Sequence, residues 1–315
     1  MTRPARTPHW TTPDGMKYLG PHNSSEPIDI TLVLRRRQGG TPLAASWPHP
    51  PRWPRGEFGE HYGAAPADIE NLRRFAREHG LSEISNDPHR RVLNLRGTPA
   101  ALEKAFGVTL GKYQFNGIGP FIGCAHAPTL PPEAIAVLGL DRRPVAKPQI
   151  RKPLATPNNT YTPLQIGQLY NFPANTDGTG QAIGIIELGG GYSASDLSTY
   201  FSGLGITKPP QVTSVSVAGG QNSPGGEDDG EVMLDIEVAG SLAPGANIVV
   251  YFTANTDQGF YEAISQAAHD TTNKPSVISI SWGGPEDSWT SASRTAMETA
   301  IQDAVAMGVT VIVAA

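Results

Sequence analysis

From residue 182 onward the chain repeats one rhythm: a short apolar run, a glycine-rich or polar turn, then an amphipathic segment. The apolar runs are Ala182 to Leu188 (AIGIIEL), Ile248 to Phe252, Val277 to Ser281 and Val309 to Ala315, with a smaller one at 210–217. Between them the spacing predicts helices over 194–204, 231–240, 259–269 and 292–307. Continuous strands separated by helices belong to a parallel sheet covered on both faces, an α/β arrangement. The first half reads differently. Ile28 to Leu34 alternates as a strand, and Arg91 to Arg96 is another. Helices are predicted from Pro66 to His79, from Thr98-Pro99 to Gly107, and from Pro131 through Val137. Val108 to Phe115, with a piece near Phe121, suggests a hairpin. Residues 1–24 and 38–65 are expected to be irregular. The sum is a compact α+β unit.

Between the halves lies DRRPVAKPQIRKPLATPNNTYT, residues 141–162, with four prolines and five basic residues. Little apolar periodicity runs through it, so it is the expected linker and a site accessible to proteolysis. The expected domains are therefore 1–140 and 163–315. Residues 1–155 hold 21 Lys/Arg against 13 Asp/Glu, a formal +8, and residues 156–315 hold 3 against 16, a formal −13. Opposite charges of that size suggest two halves that attract near neutral pH and loosen in acid. The basic residues of the first half are diluted by acids and apolar positions, which argues against a nucleic-acid partner. No run of 18 apolar residues exists, so no membrane span is expected, and the N-terminus lacks the apolar core of a secretory signal. Cys124 is the only cysteine, which rules out an intrachain disulfide and a multi-cysteine metal site.

The chemistry concentrates in GGEDDGEVMLDIEVAG, residues 225–240. Asp228 or Asp229 is the expected N-cap of the helix and Gly240 its expected stop. On a helix, Glu231 and Asp235 share one face, roughly 5–6 Å apart at Cβ. Two acids that close need a shared proton or a third partner. The competing reading is an ordinary helix whose acidic first turn complements the helix dipole. Sites in parallel sheets lie at the carboxyl ends of the strands. Glu187 and Trp282-Gly283-Gly284 fall there too, and complete a candidate cluster. A carboxylate pressed by a like neighbour serves as a general base in acid. His269 is the only histidine after the linker and stands at the tail of a helix, so a histidine-based site there is disfavoured. Gly189 to Gly191 lacks the GxGxxG order of a nucleotide loop.

Several segments carry a family resemblance: Tyr161-Thr-Pro-Leu, Tyr170-Asn-Phe-Pro, AIGIIELGGGY (182–192), DGEVMLDIEVAGSLAPGA (229–246) and SISWGGPEDSWT (279–290). Through them the second half resembles the sedolisins, serine-carboxyl peptidases with a subtilisin-like fold. ITLVLRRR, LRRFAREHGL and LNLRGTPAALEKAFGV in the first half resemble the activation domain of kumamolisin-like precursors, implying a ferredoxin-like α+β fold. The resemblance implies an acid-acting endopeptidase zymogen that works through an acyl-enzyme. It makes Glu231 the general base, Asp235 the carboxylate behind it, and Glu187 and Trp282 their supports. Ser281, Gly283 and Gly284 become the strip that pairs with an extended protein or peptide substrate. It also implies calcium for the complete protein, with ligands beyond this sequence, a secreted monomer, and contact between the propeptide and the catalytic domain. The family's Gly-Thr-Ser nucleophile and oxyanion aspartate have no counterpart in these 315 residues. The second domain is thus expected to be its N-terminal part and the fragment alone to be inactive. Ser276, Ser279 and Ser281 are read as strand or turn residues. The acidic loop 227–229 is expected to favour basic substrate residues. The alternative function is a non-enzymatic inhibitor or folding chaperone supplied by residues 1–155.

Overall fold

A computed structural model describes residues 15–37, 43, 52–115, 117–124, 126–144, 146–149 and 160–314. The expectations for 1–14, for most of 38–51 and for 150–159 of the linker lie outside the described residues. The chain divides into two compact units. One comprises residues 1–145 with 256–261 and 284–302, and the other 146–255, 262–283 and 303–315.

In the first unit, strands β1 (Met16–Pro21) and β2 (Ile28–Leu34) precede helices α1 (Arg55–Tyr62) and α2 (Pro66–Glu78). Strands β3 (Ser82–Asp87) and β4 (Val92–Gly97), helix α3 (Pro99–Phe106), and strands β5 (Leu110–Phe115), β6 (Ile118–Cys124) and β7 (Ala134–Leu138) follow. A four-stranded antiparallel sheet has the order β3-β4-β2-β7, and a smaller sheet the order β1-β5-β6. The inward positions of β2 and β4, Ile30, Leu32, Leu34, Leu93 and Leu95, bury against Leu72 of α2 and Leu102 and Phe106 of α3. Local chemistry sets α3: the Thr98 hydroxyl accepts from the Ala101 amide, Pro99 opens the helix, and Gly107 closes it at φ +64°.

Three expectations for this unit are corrected. The stretch 131–137 is not a helix; Pro131 and Pro132 make a turn, and Ala134–Leu138 becomes β7, pairing Val137 with Leu32. Ile135 and Val137 suit a strand, and the open edge of β2 supplies a hydrogen-bond ladder that outweighs weak local helix propensity. Residues 16–21 are strand β1 rather than irregular, and 55–62 form α1. Polar β3 carried no alternation strong enough to announce itself.

The second unit holds β8 (Lys147–Pro148), helix α4 (Pro163–Leu169), strand β9 (Ala182–Glu187), helix α5 (Ala194–Gly203) and strand β10 (Gln211–Ser216). Then come helix α6 (Asp229–Leu242), β11 (Asn247–Phe252), helix α7 (Asp257–His269), β12 (Val277–Ile280) and β13 (Trp282–Gly283). Helix α8 (Ser291–Ala306) and strand β14 (Thr310–Val313) complete the order, with the first turn of α7 and most of α8 assigned to the other unit. The sheet is wholly parallel, in the order β10-β11-β9-β12-β14. Ile185, Ile248, Val250 and Phe252 form a core with Leu197 and Phe201 of α5 and Val232 and Ile236 of α6. This core fixes α6 over the sheet and with it the orientation of the acids α6 carries.

Candidate active site

Glu187 is the last residue of β9, at the carboxyl end of the sheet, and is fully buried. A buried carboxylate needs donors, and Trp282 supplies one: its indole Nε1–H donates to Glu187 Oε2 at 2.8 Å. The other oxygen, Oε1, is buried without a hydrogen-bond partner. Burial pushes the Glu187 carboxyl well above the usual range; the indole hydrogen bond opposes this, and the charges of Asp235, Glu231 and Asp228 reinforce it. Those charge effects bring α6 and the end of β9 into one electrostatic cluster.

Helix α6 carries Glu231, which is buried, and Asp235 one turn later, half-buried. Asp235 is pushed up by burial and held back by a hydrogen bond from the Ser281 hydroxyl, which donates to Oδ1 at 2.9 Å. Its Oδ2 is buried and has no hydrogen-bond partner. Glu187, Glu231, Asp235 and Trp282 therefore share one neighbourhood. The register Ile280↔Ile186 between β12 and β9 delivers Ser281 and Trp282 beside it.

The entry to α6 differs from the expectation. Asp228 occupies the N-cap position, but no side chain caps the helix. Asp229 is instead a loop organiser, accepting from the amides of Gly191 at 2.8 Å, Gly225 at 2.5 Å and Gly226 at 3.2 Å. These bonds engage one of the three acids of loop 227–229. The glycine run 189–191 packs flush on this loop: a Cβ at Gly191 would strike the Pro224 backbone nitrogen, and one at Gly190 would lie 2.7 Å from the Asp228 carbonyl carbon. Nor does Gly240 stop the helix, which continues to Leu242; a Cβ there would come within 2.7 Å of Phe201. That glycine serves packing, which a sequence pattern cannot separate from termination.

The strip predicted at 281–284 is occupied. β8 pairs antiparallel with β13, setting Pro148 opposite Trp282 and Lys147 opposite Gly283. The Gln149 amide donates to the Ser281 carbonyl at 2.8 Å, and the Gln149 side-chain amide donates to the Gly283 carbonyl at 3.1 Å. Pro148 falls where the ladder asks for no N–H. Gly284 lies beyond the two-residue pairing. Beside Asp235 opens a cavity of about 450 Å³, lined mainly by Phe172, Ile183, Leu234, Val238 and Leu242. The sequence reading missed both the Ser281 hydroxyl contact and strand β8; no local pattern announces either.

Other candidates recede. Cys124 is buried, and burial pushes its thiol up to about 12, far from a reactive thiolate. The His269 Nδ1 lies 2.9 Å from the Ser265 carbonyl, within its own helix. Among the described residues no group of three or more His, Cys, Asp or Glu is placed to hold a metal ion, so the calcium implied by the resemblance finds no ligand set there. No helix among the described residues is long and apolar enough to cross a membrane.

The family model described as "Pro-kumamolisin, activation domain" matches residues 14–142. Kumamolisin of Bacillus sp. (strain MN-32) is 44% identical over 320 residues, an alignment covering 94% of this chain and 58% of that protein. The chain belongs to the sedolisin family. Tripeptidyl-peptidase sed5 of Aspergillus fumigatus is 25% identical over 305 residues, covering 82% of this chain and 52% of its own length. The chain thus spans between half and three fifths of these two relatives. Pseudomonas sedolisin, a serine-carboxyl proteinase solved with two molecules of pseudo-iodotyrostatin, aligns with a TM-score of 0.44 at 23% identity. That alignment covers 49% of this chain and 43% of that one. A kumamolisin-type activation domain followed by sedolisin peptidase sequence is the architecture of a precursor.

Proposed function

We propose that this sedolisin sequence is the activation domain and base-bearing part of an exported, acid-acting serine-carboxyl endopeptidase. The observation that carries the reading is the meeting of Glu231 and Asp235, one turn apart on α6, with the Glu187–Trp282 pair and a strip already paired to extended backbone. Glu231 is the general base that takes the proton of the attacking serine hydroxyl, and Asp235 orients it and balances its charge. Glu187 and Trp282 hold the cluster in place. The attack forms an acyl-enzyme that water later hydrolyses. A carboxylate suits this role in acid, where a histidine base would already be protonated. β8 on β13 supports extended peptide as the ligand, because it shows the hydrogen-bond pattern such a peptide makes. A ferredoxin-like plan for the activation domain is supported by the β3-β4-β2-β7 order with α2 and α3 as crossovers.

Glu231→Gln in the complete peptidase tests the reading. It keeps the shape and removes the base, so kcat is expected to fall about 10²–10⁴-fold with KM little changed. Full turnover by that variant, measured on a peptide substrate in acid, would reject Glu231 as the base.

A further inference from the structure

The Ser281-Trp282 dipeptide grips two acids at once. The indole of Trp282 donates to Glu187, and the hydroxyl of Ser281 donates to Asp235 Oδ1 at 2.9 Å. Ser281 has a second engagement that Trp282 lacks: its backbone carbonyl accepts the Gln149 amide, a β-ladder bond of the kind an extended peptide can make. One residue therefore touches the strand on the strip, through its carbonyl, and Asp235, through its hydroxyl. Its position leaves little slack, because Ile280 before it is locked between β9 and β14 and Trp282 after it is buried. On Asp235, the hydroxyl takes one oxygen and leaves Oδ2 buried and without a hydrogen-bond partner, while Glu231 stands one helical turn earlier on the same helix.

We infer that Ser281 is a positioning residue, its hydroxyl aiming Asp235 at Glu231 while its carbonyl holds the peptide backbone. The inference rests on the peptidase reading above and adds a residue to it. Ser281 is not the nucleophile here; its hydroxyl proton stays on Ser281 and is directed at Asp235 throughout. The two engagements make separate predictions. Removing the hydroxyl leaves the carbonyl, so peptide binding is retained while the acid pair loses its alignment. A hydrogen bond from Ser281 favours the ionised carboxylate, so losing it makes the pair harder to ionise.

The test compares Ser281→Ala and Ser281→Thr in the complete peptidase. For Ser281→Ala, kcat is expected to fall about 10-fold with KM within about twofold, and the acid limb of kcat/KM to move to higher pH. Ser281→Thr keeps a hydroxyl and restores the limb. A purely structural serine would lower stability without moving that limb. An unmoved limb in an active Ser281→Ala enzyme, or no rescue by threonine, overturns the inference and leaves the peptidase reading standing. A wild-type protein without acid peptidase activity removes the reading and the inference together. A measurement on the 315-residue chain needs no turnover: ¹³C-carboxyl titration of Asp235, assigned with Asp235→Asn, should give a higher midpoint in Ser281→Ala. The same midpoint in both proteins would also overturn it.

Discussion

At the scale of single residues, the site is built from acids held where water is scarce, and two of them each take a hydrogen bond from one neutral donor. Glu187 has Trp282, and Asp235 has Ser281. Trp282→Phe removes the indole donor and leaves both Glu187 oxygens without it. The folded-state pKa of Glu187, already raised, rises further. A group raised in this way costs stability as pH climbs from the unfolded glutamate value, about 4.3, through its folded value. The extra loss in Trp282→Phe appears only once wild-type Glu187 ionises, so it is expected to be greater at a pH above the wild-type folded value than at pH 4, by roughly 1.5–3 kcal/mol. The void left by the smaller ring costs the same at both pH values, so denaturant unfolding at the two separates the terms. A loss independent of pH would mean that the indole only fills space.

Among the elements, α6 decides whether the acids meet, and its placement is owed to glycines as much as to its apolar face. Asp229 ties the helix entry to the Gly191, Gly225 and Gly226 amides, which requires the 189–191 run to lie directly on the loop before the helix. Gly191→Ala puts a methyl against the Pro224 nitrogen and the Ser223 carbonyl carbon, backbone atoms that cannot turn aside as a side-chain tip can. The expected cost is about 1–3 kcal/mol in unfolding free energy. The shifted entry should also lower kcat of the complete enzyme, although residue 191 carries no reacting group. Wild-type stability with unchanged kcat would show the loop to be more pliable than its packing implies. These demands were invisible in the sequence. GGG reads there as a turn, and Gly240 as a stop, because composition records that a side chain is missing but not what fills its place.

For the molecule as a whole, four acids point in one direction. Asp141, Asp257, Glu187 and Asp235 are all pushed upward, with burial as the largest cause. Asp257 reaches about 7, even though it accepts from the Gly139 amide, the Gln258 amide and the Ser293 hydroxyl. Unfolded, it would ionise near 3.9. The folded protein keeps its proton between those values, so the unfolded state gains relative stability as pH rises across that window and the fold loses it. Thermal unfolding is expected to show a higher Tm near pH 4.5 than near pH 7.5. Asp257→Asn, which cannot ionise, should recover on the order of a few kcal/mol at the upper pH and little at the lower. Equal gains at both, or a Tm that rises toward neutrality, would count against this account. An acid optimum for stability agrees with an acid-working base, and the two can be measured separately.

What the amino-acid order determined by itself was periodic or local. The parallel strands β9, β11 and β12, the cap-to-glycine span of α3, and the one-turn spacing of Glu231 and Asp235 follow from apolar runs, caps and helix pitch. The tertiary structure alone decided which distant groups share a hydrogen bond. Residues 134–138 became strand β7 because an open sheet edge outbid their own propensity. Ser281 met Asp235 across 46 positions, and Lys147-Pro148 lay along Trp282-Gly283 across more than 130, because strand register brought them together. Such pairings draw their energy from burial and ladder bonds that exist only once the sheet has formed, and so leave no mark on either partner's neighbours in the chain.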